Sequence, residues 1–174
     1  GHYVHGNEIL QMENGGLDAT QQDKLYQQLA LEFRPLKGWK IRLEGNYNTV
    51  HYYNHWDVLP IYYYDQKQKP IAAAWSGGYA AGKSDVGDSM SRNNYYNGRF
   101  FTEYMFTLND KHDFKFLAGL DMESNRYTSL GAARADLISP LVPSLNNATH
   151  KDVRPSFSNT QWATMGAFGR INYA

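Results

Sequence analysis

LEFRPLKGWKIRLEGNY, residues 31–47, alternates apolar and polar side chains on either side of a Pro35-Leu36-Lys37-Gly38 break. After the break, Trp39, Ile41, Leu43, Gly45 and Tyr47 point one way, and Lys40, Arg42, Glu44, Asn46 and Asn48 the other. A period of two sends successive side chains to opposite faces of a strand. A helix would bring Lys40, Leu43 and Glu44 close to one stripe and mix the two faces. Pro35 and Gly38 carry the backbone angles of a tight turn. Before the break, Leu25, Leu29, Leu31 and Phe33 share a face opposite Tyr26, Gln28, Glu32 and Arg34, with Gln27 interrupting the apolar row. The whole reads as a β-hairpin from about Lys24 to Tyr53.

Three further stretches have the same period. From about Tyr95 to Leu108, Phe100, Thr102, Tyr104, Phe106 and Leu108 form one face, with Glu103 and Thr107 opposite. After the turn Asn109-Asp110-Lys111-His112, Phe114, Phe116, Ala118, Leu120 and Met122 oppose Lys115, Gly119, Asp121 and Glu123, as far as about Arg126. From about Gln161 to Tyr173, Ala163, Met165, Ala167, Ile171 and Tyr173 oppose Thr164, Arg170 and Asn172. Only Asp18–Leu31 also admits a helical reading. The fold class expected is all-β, an antiparallel up-and-down meander of about five long strands.

The connections alternate in length. Short turns lie at 35–38 and 109–112, and long loops at about 1–23, 54–94 and 127–160. Loops this long are uncommon in compact soluble domains. Short turns on one side and long loops on the other are the asymmetry of a transmembrane β-barrel. Each stretch also supplies the roughly 9–11 residues that a tilted strand needs to cross the hydrocarbon. Phe33, Trp39, Phe106 and Phe114 flank the short turns, while Tyr47, Tyr52 and Tyr53 approach the long-loop end, as aromatic girdles do. In such a barrel Glu32, Arg34, Arg42, Glu44, Lys115 and Asp121 face the lumen, and the chain is one partial segment of a larger wall.

Composition narrows the function. The 174 residues carry 17 basic and 17 acidic side chains, so there is no basic surplus for nucleic acid. Cysteine is absent, which removes disulfides, thiolate metal sites and a cysteine nucleophile. The 14 Tyr, 8 Phe and 4 Trp suit strands. No run of about 18 apolar residues marks a transmembrane helix. The first residues, Gly1-His2-Tyr3-Val4-His5, lack the basic and apolar regions of a signal peptide, so mature protein or an internal segment is expected.

Catalytic and cofactor signatures are weak. There is no G-x-S-x-G elbow, Walker loop or G-x-G-x-x-G, and neither a cofactor nor an enzyme activity is expected. Asp110 and Asp113 read as turn chemistry, and Asp121 and Glu123 as a hydrated polar face. His51, His55 and Asp57 have a spacing that could ligate a metal on a helix, but they fall where a strand runs into a loop, so no metal site is expected. The loop aromatics Trp56, Tyr62, Tyr63, Tyr64, Trp75 and Tyr79 are the candidate substrate-binding residues. A sugar's apolar face can lie on an aromatic ring, and Tyr and Trp add a polar handle.

KHDFKFLAG (111–119), DLISP (136–140), PSLN (143–146) and WATMGAFGRINYA (162–174) resemble, in order and spacing, the SusC/RagA family of TonB-linked outer-membrane transporters. LEFRPLKGWKIRLEGNY resembles a periplasmic-turn hairpin of that family. The resemblance covers roughly residues 25–53 and 95–174. It implies a large barrel in the outer membrane, closed by an N-terminal plug that this chain lacks. It further implies outer-membrane lipid around the wall, a SusD-type surface lipoprotein as partner, energy from the TonB complex through the missing N-terminal part, and an oligosaccharide or peptide substrate. The alternative is a soluble β-sandwich or calyx that binds carbohydrate, burying the same apolar rows against a second sheet.

Overall fold

The computed structural model describes residues 8–73 and 82–174. Its elements are helix α1 (Glu8–Asn14), strands β1 (Asp18–Leu36), β2 (Trp39–Val58), β3 (Tyr62–Tyr64), β4 (Pro70–Ala72), β5 (Asp85–Leu108) and β6 (His112–Ala135), a 3-10 turn (Leu145–Asn147), and β7 (Arg154–Tyr173). The five long strands form one antiparallel up-and-down sheet in the order β1-β2-β5-β6-β7, and β3 pairs with β4 in a small hairpin of their own. All the alternating stretches are strands. That includes Asp18–Leu31, where pairing with β2 overrides a helix-compatible composition.

The strands run further than the alternation. β5 begins at Asp85 and β6 ends at Ala135, well past the alternating residues. On β5 the side chains there are mostly polar on both faces, and on β6 the small residues Gly131, Ala132, Ala133 and Ala135 occupy both, so the hydrophobic period vanishes while the backbone ladder continues.

The short turns use left-handed backbone. Gly38 has φ +80, and its carbonyl accepts a 2.8 Å bond from the Met105 N–H. A Cβ there would overlap the Met105 carbonyl oxygen. Gly38→Ala should therefore cost about 2 kcal/mol in equilibrium unfolding, strain and clash together. A change of a few tenths would refute this account of the turn. Asn109 and Asp110 both have φ 53, and the Lys111 N–H bonds the Leu108 carbonyl at 3.3 Å. Two successive left-handed residues are the backbone of a type I′ turn, which matches strand twist.

The described residues fall into two compact units. One holds the turn-side lengths of the long strands, residues 23–51, 92–128 and 159–174. Its apolar row faces outward: Leu29 and Phe33 are each 64% exposed, Ile171 68% and Met165 74%. Neighbouring strands match in level on this face. Trp39 donates from Nε1 to Thr102 at 2.8 Å, Tyr47 stacks on Tyr96 at 4.9 Å, and Phe106 stacks on Phe114 at 5.3 Å. From Phe114 to Met122 the row covers about 27 Å of strand, or roughly 20 Å when tilted as barrel strands are.

The other unit holds the described residues 8–22, 52–73, 82–91 and 129–158. The buried apolar side chains among the described residues, Ile61, Val86 and Ala148, all belong to it. Polar contacts do much of its packing. The nearly buried Asp85 carboxylate takes both oxygens to Arg154 and accepts the Val86 N–H at 3.0 Å. Asp136, with φ 62, donates its N–H to the Ser84 carbonyl at 3.0 Å, and the Leu137 N–H bonds Ser84 Oγ at 2.8 Å.

Candidate functional site

In the turn-side unit, ion pairs link the charged side chains opposite the apolar row. Glu32 pairs with Arg34 at 2.7 Å and with Lys40 at 3.0 Å. Arg42 pairs with Glu44 at 2.6 Å, and Arg99 bridges Glu44 at 3.6 Å and Asp121 at 3.1 Å. Asn97 donates to Asp121 at 2.8 Å and accepts from Asn46 at 3.0 Å, while Lys115 pairs with Glu103 at 2.9 Å. Glu32, Glu44, Glu103 and Asp121 thus each have a cation one strand or one alternate residue away, which keeps their charges matched. The sequence reading missed Arg99 and Asn97. Their signal was the odd-numbered positions of β5, blurred by Phe101 lying next to Phe100. That ring is itself used, since the Arg42 guanidinium sits 5.9 Å from its centroid.

The loop aromatics occupy separate elements of the other unit. Tyr62, Tyr63 and Tyr64 form β3, with Tyr62 opposite Ala72 and Tyr64 opposite Pro70. Tyr62 and Tyr64 share one exposed face of this hairpin, and Tyr63 lies on the other. Asp65 closes the turn by accepting the Lys67 and Lys69 N–H groups, each at 2.8 Å. Trp56, on β2, is half-buried over Gly87, where a Cβ would overlap the indole ring. It lines a hollow of about 470 Å³ with Gln11, Met12, Leu17, Asp18 and Val58. Trp75 and Tyr79 lie outside the described residues.

His55 sits between two carboxylates, with Nδ1 2.8 Å from Asp88 Oδ1 and Nε2 3.7 Å from Asp57 Oδ1; the Tyr53 hydroxyl also donates to Asp88 at 2.8 Å. His51 is exposed, and among the described residues no three His, Cys, Asp or Glu side chains are grouped to hold a metal ion. Burial pushes the Asp57 carboxyl above the usual aspartate range, against the opposing Leu17 N–H and His55. A folded-state pKa above the unfolded value means that ionised Asp57 costs stability, and the cost is relieved as pH falls through the raised pKa. Asp57→Asn should therefore raise the melting temperature at neutral pH and have less effect near pH 4. An equal shift at both would contradict this.

Asp110 lies in the type I′ turn, and Asp113 accepts a bond from the Thr107 hydroxyl at 2.5 Å. No helix among the described residues is long and apolar enough to cross a membrane.

No family model and no curated protein matches the chain. Solved structures do match its fold. The RagAB peptide transporter gives a TM-score of 0.78 at 14% identity, over 98% of this chain and 18% of that one. The RagAB peptide importer in the closed-closed state gives 0.76 at 15% identity, over 91% of this chain and 16% of that one. The same importer in the open-open state gives 0.78 at 14%, over 99% and 18%. At such identities the likeness is one of fold, and this chain spans less than a fifth of the length of the transporter chains it resembles.

Proposed function

We propose that this chain is a length of wall from an outer-membrane β-barrel nutrient transporter of the SusC/RagA type, with its short turns toward the periplasm and its long loops outside. The observation that carries it is the sorting of side chains in the turn-side unit. Leu, Phe, Met and Ile stand exposed on one face, and a matched charge network occupies the other. Lipid would cover the first and a wet lumen the second. The exposure of these rows supports contact with lipid over the burial against a second sheet that a soluble sandwich would need. The fold likeness to RagAB transporter chains adds support.

On this reading the chain binds and passes a solute without making or breaking bonds. The solute is an oligosaccharide or peptide, drawn in with a SusD-type surface lipoprotein and with energy relayed by TonB through other parts of the protein. Glu32, Arg34, Arg42, Glu44, Lys115 and Asp121 line the lumen. Trp56 and Tyr62–Tyr64, together with Trp75 and Tyr79, are the substrate-contact candidates. Membrane fractionation tests the reading. The protein should sediment with outer membranes, resist extraction by urea and need detergent for release; recovery in the soluble fraction would end it.

A further inference from the structure

The outward face changes character at one level. On β5 and β6, Gly119 lies opposite Phe101 and Gly131 opposite Ser89, so the same register places Asn94 opposite Arg126 and Arg92 opposite Thr128. On β2, Thr49 Oγ1 donates to Asn94 Oδ1 at 2.8 Å, one alternate residue beyond the Tyr47–Tyr96 stack. Thr128 donates to Asn159 at 3.5 Å, which places Gln161 opposite Arg126. A polar row, Thr49-Asn94-Arg126-Gln161, thus borders the apolar band just past its tyrosines. Arg92 is on the same face, its Nη2 donating to the Tyr47 hydroxyl at 3.5 Å and its Nε to Asn94 at 3.0 Å.

The two arginines differ from three of those on the opposite face. Arg34, Arg42 and Arg99 are each paired with a carboxylate. Among the described residues no ion pair joins Arg92 or Arg126 to any acid, and both are exposed. Diagonal neighbours on adjacent strands bring their Cβ atoms within roughly 8 Å, a separation that two guanidinium groups can close onto one phosphate. Unpaired cations beside an apolar wall and an aromatic girdle are matched to a ligand with phosphate above and acyl chains below. We propose that Arg92 and Arg126, with Tyr47 beside them, form a docking site for the phosphorylated headgroup of an outer-leaflet lipid. It rests on the membrane reading, because only there does the apolar band below the arginines meet acyl chains.

The test uses the intact protein, purified in mild detergent and mixed with bisphosphorylated lipid A or with its dephosphorylated counterpart; native mass spectrometry counts the lipid retained. Bisphosphorylated lipid A should be held in preference. The Arg92→Gln, Arg126→Gln double variant should lose about tenfold or more in retention. Arg170→Gln, one charge removed from the opposite face, should leave it unchanged. Equal retention of both lipids, an equal loss in Arg170→Gln, or displacement by inorganic phosphate at matched concentration would each overturn the lipid site while leaving the barrel reading intact. A protein released without detergent would sink both, and fractionation reads that outcome separately.

Discussion

Leu29→Arg is expected to destabilise the protein by about 2–4 kcal/mol, and Gln28→Arg by less than about 1 kcal/mol. The two positions are adjacent on β1 and at the same depth, so they differ only in the face they occupy. Leu29 belongs to the outward apolar row and is 64% exposed. In a bilayer its surroundings would be acyl chain near the midplane, where a guanidinium finds no water. Gln28 lies on the face that carries Glu32 and Arg34, where an added cation stays hydrated. Unfolding free energies of the intact protein in lipid vesicles would measure both. Equal costs would mean that the two faces see the same medium, and the barrel assignment would fall.

The second large effect belongs to the loop-side unit. Arg154→Ala leaves the Asp85 carboxylate, whose side chain is 7% exposed, with the Val86 N–H as its remaining hydrogen-bond donor. Removing one partner of a fully buried pair costs roughly 3–5 kcal/mol. Arg154 is itself 55% exposed, so water can partly replace it, and about 2–3 kcal/mol is expected. Hydrogen exchange should accelerate over residues 82–91 and 148–158. Adding Asp85→Asn to Arg154→Ala should restore much of the protection, because the stranded charge is then gone. If the double variant is as loose as the single, the lost interaction is packing rather than charge.

The turn-side unit was legible in the sequence because its two faces differ in polarity. Trp39 to Tyr47 alternates without a break, Phe114 to Met122 departs from alternation only at Leu117, and both are strands. Past Asn94 toward Asp85 the cue is gone, since Arg92, Asp88 and Ser89 show no contrast between faces, and the start of β5 could not be read. α1, with seven residues, and the three-residue strands β3 and β4 are too short for any period to register. The lumen candidates were legible as individual charges. Their partners were not, because Arg99 meets Glu44 and Asp121 across strands, and such meetings depend on register. Why Trp56 rests on Gly87 was likewise invisible, since the glycine lies on another strand.

The corner at Asn109-Asp110 also has a kinetic side. A hinge whose two residues already favour the reversed geometry lets the 24-residue arms on either side zip together from the bend outward, with almost no search for a distant partner. This pair is then the natural first seed of sheet formation, with β2 and β7 added afterwards to its flanks. Damage at that corner would slow folding more than it would loosen the finished sheet.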